Sequence, residues 1–350
     1  MADITALPGF DVLEKPRDPA DSGRWIERPA RPRLMLFAGR SHPELAQRIA
    51  MELGIELGEV ELKTFENGET YCRYIQSIRG ADVFIVQSPS GGTPNDYLME
   101  LLVMIDAAKL ASAKRITAVL PWYPYSRQDK KSAPREPITA KLIAEVLQAA
   151  GVDRVLTMDL HAGQIQGFFN IPVDHMTALK LFAQYFRDRG LAGEGVVAVS
   201  PDAGRAKTAR KFAELLSGDL AILNKARPSH EVVDVTEVIG KVRGKVAIMT
   251  DDMIVTGNTL RVGSKALLEA GAEVVYACAT HALFPEGALE KLVESDIEQV
   301  VVTDTVPINP ITRPEKLQVL TVSKILAESI RNVFSDESVS EIFAGENQLF

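Results

Sequence analysis

The sequence predicts an α/β fold with two domains, each a mainly parallel sheet flanked by helices. Three observations predict it. From Leu34 onward, apolar runs of strand length alternate with helical patterns. The helical patterns at 43–53, 94–110 and 137–149 each open on a proline, which suits a first helical turn. Acids, cations and glycine-bearing turns follow the apolar runs, where open α/β sheets bind their ligands.

Residues 1–32 contain Pro8, Pro16, Pro19, Pro29 and Pro32 with little apolar periodicity, and read as an extended or disordered arm. In a first domain, 33–175, strands are expected at 34–38, 83–87, 116–120 and 155–160, with the proline-led helices between them. In a second, 176–350, strands are expected at 196–200, 221–223, 246–249, 274–279 and 300–303. Helices at 179–189, 206–216, 260–270 and 285–293 separate them. The boundary is expected near 172–177, and a last helix at 322–333 fits against either domain. The sequence has no short-period repeat, which argues against a solenoid.

The chain has 350 residues, 46% hydrophobic and 25% charged, which is globular composition with room for two domains. Its net charge of −8 argues against general nucleic-acid binding, so an anionic ligand has to be held by local basic residues. The most apolar stretch, 97–111, is interrupted by Glu100, Asp106 and Lys109, so no membrane span is expected. The N-terminus shows no secretory pattern, and a cytoplasmic protein is expected. Cys72 and Cys278 lie in strand-like runs and read as reduced core residues rather than a disulfide or zinc site.

The most informative stretch is 245–259. An apolar strand, 246–249, is expected to end in the adjacent carboxylates Asp251 and Asp252. A turn then leads through Val255 into Thr256-Gly257-Asn258-Thr259 and a helix. Free N–H groups at a helix start suit a phosphate. Carboxylates accept from paired sugar hydroxyls but repel phosphate. The segment therefore offers a cradle for each end of a ribose phosphate. A helix capped by Thr256 or Thr259 needs only one such residue. Taken alone, the segment also fits a nucleotidyl or phosphoryl enzyme.

Other strand ends carry further candidates. Asp159-Leu160-His161-Ala162-Gly163 places a histidine after one strand, where a hydrogen-bonded structural role is the default. Ser200-Pro201-Asp202 offers a helix cap or a ligand to a metal or ribose oxygen. Lys225 and Arg227 stand two apart before a polar loop and could close over a polyphosphate. Asn67-Gly68 signals a hairpin turn, while Phe65, Asn67 and Glu69 could also form an adenine platform. Arg127 and Gln128 follow an aromatic turn at a strand end, where a phosphate contact is plausible.

These motifs, in this order, resemble the ribose-phosphate pyrophosphokinases, also called phosphoribosyl diphosphate synthetases. The likeness also takes in Arg79-Gly80-Ala81-Asp82-Val83-Phe84, Asn95-Asp96-Tyr97-Leu98-Met99-Glu100, Arg135-Glu136-Pro137-Ile138-Thr139-Ala140-Lys141 and Glu337-Ser338-Val339-Ser340, and runs over 34–343. The resemblance implies two phosphoribosyltransferase-like domains. It implies transfer of the diphosphoryl group of ATP to the anomeric hydroxyl of ribose 5-phosphate. It implies hexamers built from dimers, with ATP sites across a subunit contact. It assigns Lys225 and Arg227 to catalysis, His161 and Asp202 to Mg2+, and Phe65, Asn67, Gly68, Glu69, Arg127 and Gln128 to ATP. Arg227, Asp251, Asp252, Val255, Thr256, Gly257, Asn258 and Thr259 fall to ribose 5-phosphate. The family commonly has Asp at Val255, Gly at Asn258 and at Arg205, and basic residues at Ala226 and Ala133. A catalytically silent regulatory relative and a phosphoribosyltransferase are the rival readings. The second leaves Phe65, Asn67, Glu69, Arg127 and Gln128 without a purpose.

Overall fold

A computed structural model describes residues 33–91, 93–226 and 235–339. The N-terminal arm, Arg227 with the loop to 234, and residues 340–350 lie outside the described residues.

The first sheet is wholly parallel. Strand β1 (Leu34–Ala38) leads through helix α1 (Pro43–Leu53) to an antiparallel hairpin of β2 (Val60–Thr64) and β3 (Thr70–Tyr74). Strand β4 (Asp82–Val86), helix α2 (Pro94–Leu110), β5 (Arg115–Leu120), α3 (Thr139–Ala150), β6 (Arg154–Met158) and β7 (Val173–Met176) follow. The sheet order is β1-β4-β5-β6-β7. All five residues of β4 are buried, as expected of a parallel strand covered on both faces. Proline opens α1 and α2. Helix α3 starts at Thr139, beyond Pro137. Its first turn instead docks on the preceding loop, with Ala140 N donating to the Gln128 carbonyl at 3.1 Å.

The second sheet has seven strands. They are β8 (Val196–Ser200), β9 (Asp219–Ala226), β10 (Val235–Ile239), β11 (Val246–Ile254), β12 (Val274–Ala282), β13 (Gln299–Thr303) and β14 (Leu317–Leu320). Their order is β10-β9-β8-β11-β12-β13-β14, and only the β9–β10 pair is antiparallel. Helices α4 (Leu179–Arg187), α5 (Ala206–Leu216), α6 (Asn258–Glu269) and α7 (Ala288–Val293) connect them. Helix α7 begins three residues after Pro285, where Gly287 takes a left-handed turn with φ 77°.

One expectation is corrected. Strand β11 does not stop before the acids but runs through them to Ile254. Its neighbour β12 is equally long and pairs as far as Ile254 with Ala282, and Met253 and Ile254 are buried. The partner on the other side, β8, pairs only to Met249. The acids are therefore held rigidly on a strand that has outrun its neighbour.

The sheets share a core: Leu36, Phe84 and Met158 belong to the same apolar cluster as Ala198, Ile248 and Val301. The last helix, α8 (Ser323–Phe334), packs on α1 at the first sheet, and Arg331 donates to the Glu52 carbonyl at 3.2 Å. Arg115 on β5 ties Asp82 at 2.8 Å to Asp336 at 2.7 Å. Burial pushes the Cys278 thiol up to about 12, so it is an inert core residue. No described helix is long and apolar enough to cross a membrane.

Candidate active site

The second sheet reverses its order beside β8: the chain passes to β9 on one side and then to β11 on the other. Such a switch point leaves a crevice at the carboxyl ends of the strands. A cavity of about 400 Å³ lies there, lined by Asp251 and Asp252 from β11, Asp202 and Arg205 after β8, and His161 after β6.

A charged cluster occupies this cavity. His161 Nδ1 lies 2.7 Å from Asp252 Oδ2. The Arg205 guanidinium ion-pairs with that same oxygen, sits 3.1 Å from His161 Nδ1, and brings its Nε to 3.8 Å from Asp251 Oδ1. Burial and then the neighbouring Asp252 charge push the Asp251 carboxyl well above the ordinary range. Burial acts the same way on Asp252, but the His161 hydrogen bond and the Arg205 charge outweigh it and hold that carboxyl low. The pair thus divides into a carboxylate fixed as an anion and a neighbour that resists ionising.

Asp202 is exposed and caps a short 3-10 turn, Ala203–Arg205, by accepting from Arg205 N at 3.0 Å. That turn runs directly into α5.

The bend after β11 is built on glycine. Gly257 takes φ 71° ahead of α6, and a Cβ there would lie 3.0 Å from Leu292 Cδ2. The left-handed position is therefore Gly257, and Asn258 is an ordinary first helical residue whose Oδ1 accepts from Arg261 at 3.1 Å. Gly257, the residue before the helix, has no side chain to cap it, and Thr256 Oγ1 makes a long contact as acceptor from Asn258 N at 3.5 Å. Thr256, Gly257 and Thr259 line the cavity, while the Asn258 side chain turns along the helix. A phosphate approaching the first N–H groups of α6 meets no added side chain there.

A second cavity of about 630 Å³ adjoins the first, and Arg127 and Val255 line both. Its walls include Trp122, Pro124, Phe284 and Gln128. Val255 packs with Trp122, Met253 and Val306, which makes the shared wall apolar where the family commonly has an acid. Gln128 Oε1 accepts from Thr139 at 2.6 Å. Phe65, Asn67, Gly68 and Glu69 form the tip of the β2–β3 hairpin and line neither cavity. They make the tight turn that the sequence suggests, with Gly68 N donating to the Phe65 carbonyl at 2.9 Å and Glu69 N donating to Asn67 Oδ1 at 3.2 Å. Phe65 is 47% exposed, beside Tyr71 at 5.8 Å between ring centroids.

Lys225 stands near the carboxyl end of β9, its backbone in register with Thr236 of β10. Arg227 lies outside the described residues.

Among the described residues, no three His, Cys, Asp or Glu side chains gather closely enough to cage a metal ion. The donor set does fit a magnesium ion carried on a nucleotide, because magnesium keeps several waters and takes few protein ligands. An imidazole whose Nδ1–H is held by a carboxylate leaves Nε2 as its acceptor, the usual arrangement behind a metal-facing histidine.

The sequence flags Arg205 only as a departure, and gives no signal that its guanidinium joins His161 to both acids. Nor does it reveal that Trp122 stacks edge-on against His281 of β12, 4.8 Å between centroids, where the two sheets meet.

Residues 34–151 match the family profile described as the N-terminal domain of ribose phosphate pyrophosphokinase. Residues 222–344 match the phosphoribosyl synthetase-associated domain. A ribose-phosphate pyrophosphokinase of Fusobacterium nucleatum is 48% identical over 310 residues, covering 89% of this chain and 98% of that protein. One from Caldanaerobacter subterraneus subsp. tengcongensis is 49% identical over the same shares. The crystal structure of phosphoribosylpyrophosphate synthetase from Mycobacterium smegmatis superposes with a TM-score of 0.81 at 46% identity, covering 87% of this chain and 99% of that one. The crevice between β8 and β11 is thus found in a chain that belongs to the ribose-phosphate pyrophosphokinase family.

Proposed function

We propose that this chain transfers the diphosphoryl group of ATP to ribose 5-phosphate, giving 5-phosphoribosyl 1-diphosphate and AMP for nucleotide biosynthesis in the cytoplasm. The carrying observation is one cavity that holds an acid pair at one end and a glycine-built amide bend at the other, opening past Arg127 into a second cavity. Asp251 and Asp252 accept from the sugar hydroxyls. The bend from Val255 to Thr259 holds the 5-phosphate. The anomeric oxygen attacks the β-phosphorus, the bridge to the α-phosphorus breaks, and AMP leaves with the bridging oxygen. Lys225, Arg227, Arg127 and Gln128 neutralise and orient the polyphosphate, since positioning and charge carry most of such a reaction. His161 and Asp202 would hold Mg2+ on the nucleotide, which when bound neutralises the phosphate charge.

The adenine platform of Phe65, Asn67, Gly68 and Glu69 lines neither cavity of its own chain. We place it at the site of a neighbouring copy, in a homo-oligomer that the family resemblance makes a hexamer.

The test is a steady-state assay of AMP release by the purified chain from ATP, Mg2+ and ribose 5-phosphate, with and without inorganic phosphate. Turnover that needs both substrates supports the proposal. Nucleotide binding with no turnover favours the silent relative, the reading that Arg205 on the acid pair supports.

A further inference from the structure

We infer that Arg205 is a displaceable latch on the sugar-hydroxyl acceptors, and that it moves to the incoming diphosphoryl group when the sugar takes its place. This rests on the substrate assignment proposed above.

The guanidinium occupies the atoms that the sugar needs. It pairs with Asp252 Oδ2, an oxygen that already serves His161, and reaches towards Asp251 Oδ1. A ribose diol has to donate to these same carboxylates. His161 and Arg205 already fill the two lone pairs of Asp252 Oδ2, and Asp251 Oδ1 accepts from Asp252 N at 2.9 Å, so a diol that meets the acids on this side competes with the guanidinium. On the proposed latch, the arginine yields this edge of the pair to the sugar.

Only the side chain has to move. The Arg205 backbone is fixed by the Asp202 cap at 3.0 Å and by the start of α5. The arginine side chain is long and rotates about several bonds, while the acids sit on a strand buried among its neighbours. Its destination follows from charge. A side chain only 14% exposed does not abandon two acids without another anion to receive it. The anion that enters beside it is the polyphosphate, and the planar guanidinium fork matches phosphate oxygens well. The second cavity begins at Arg127, on the border of this same pocket. The latch thus makes each substrate's binding favour the other's, a coupling that runs both ways.

The experiment is calorimetric titration of ribose 5-phosphate into the full chain, with and without Mg2+ and α,β-methylene-ATP, whose α–β bridge cannot be cleaved. In the wild type the analogue should tighten sugar binding within the usual range of such couplings, about 5–150-fold. In R205A, sugar affinity without nucleotide should be at least that of the wild type, and the tightening by nucleotide should collapse towards one. R205K keeps the charge and should retain part of the coupling, which guards against a misfolded alanine variant. Weaker sugar binding in R205A with unchanged coupling makes Arg205 a static anchor and overturns the latch. A wild type that binds nucleotide but no ribose 5-phosphate in either condition overturns the substrate assignment and the latch with it.

Discussion

Thr280 in β12 of the second sheet donates its hydroxyl to Asp159 Oδ2 at 2.6 Å, just past the end of β6 in the first. Asp159 takes φ 32°, accepts also from Ala178 N at 2.9 Å, and stands two residues before His161. The residue that aims the histidine loop is thus held by the opposite sheet. Thr280→Val keeps the shape and removes the donor. Leaving a buried carboxylate short of a partner costs about 1–3 kcal/mol. Urea denaturation should show a loss of that size together with lower turnover. Unchanged stability would remove Thr280 from the junction.

Lys225→Ala should raise the barrier to transfer by about 2–4 kcal/mol, as loss of one preorganised charge does. Substrate binding should change less. Comparing kcat with KM for both substrates checks this. Turnover at the wild-type rate would take Lys225 out of the mechanism.

Asp251→Asn should chiefly weaken ribose 5-phosphate binding. Asp251 is the member of the pair that resists ionising, so the loss is that of an ordinary hydrogen bond, about 0.5–1.5 kcal/mol. Direct titration of the sugar phosphate reads the change, and an unaltered affinity contradicts the hydroxyl-acceptor role.

Acid should loosen the molecule through its buried histidines. Burial pushes the His175 pKa down to about 4 and lowers those of His42 and His281. His175 Nε2 accepts from Leu160 N at 2.9 Å, which it can do only when neutral. His42 lies 2.8 Å from the Asp304 carbonyl, and His281 lies 3.1 Å from the Met158 carbonyl, so both sit at the sheet junction. Their folded values lie below the unfolded one, so the unfolded chain takes up protons first below about pH 6.5. Stability then falls as pH falls. Between pH 6.5 and 5 a group such as His175 should contribute a loss of about 2 kcal/mol. Urea midpoints that stay flat from pH 7 to 5 would contradict this.

Much of the fold is legible in the sequence. The runs at 34–38 and 196–200 and the proline-led patterns at 43–53 and 94–110 coincide with β1, β8, α1 and α2, because burial on both faces writes itself as an apolar run. Strands β7, β10 and β14 were not legible. They are four or five residues long and sit at sheet edges, and unlike the edge strand β1 they carry polar residues, Asp174, Thr236 and Gln318 among them, that break the apolar run. The continuation of β11 through Asp251 and Asp252 was also hidden, because two acids look like the end of a strand until β12 is seen pairing beyond them.

By itself, the sequence determined the alternation of elements, the ordered motifs that mark the family, and the acids and the glycine bend on a single strand–turn–helix unit. Local pattern and short separation suffice for these. Only the tertiary structure decided that Arg205 rests on Asp252, that Thr280 holds Asp159, and that the Phe65 hairpin stands away from the cavities of its own chain. Those relations join residues up to 121 positions apart. They depend on how two sheets pack against each other, which no local periodicity records.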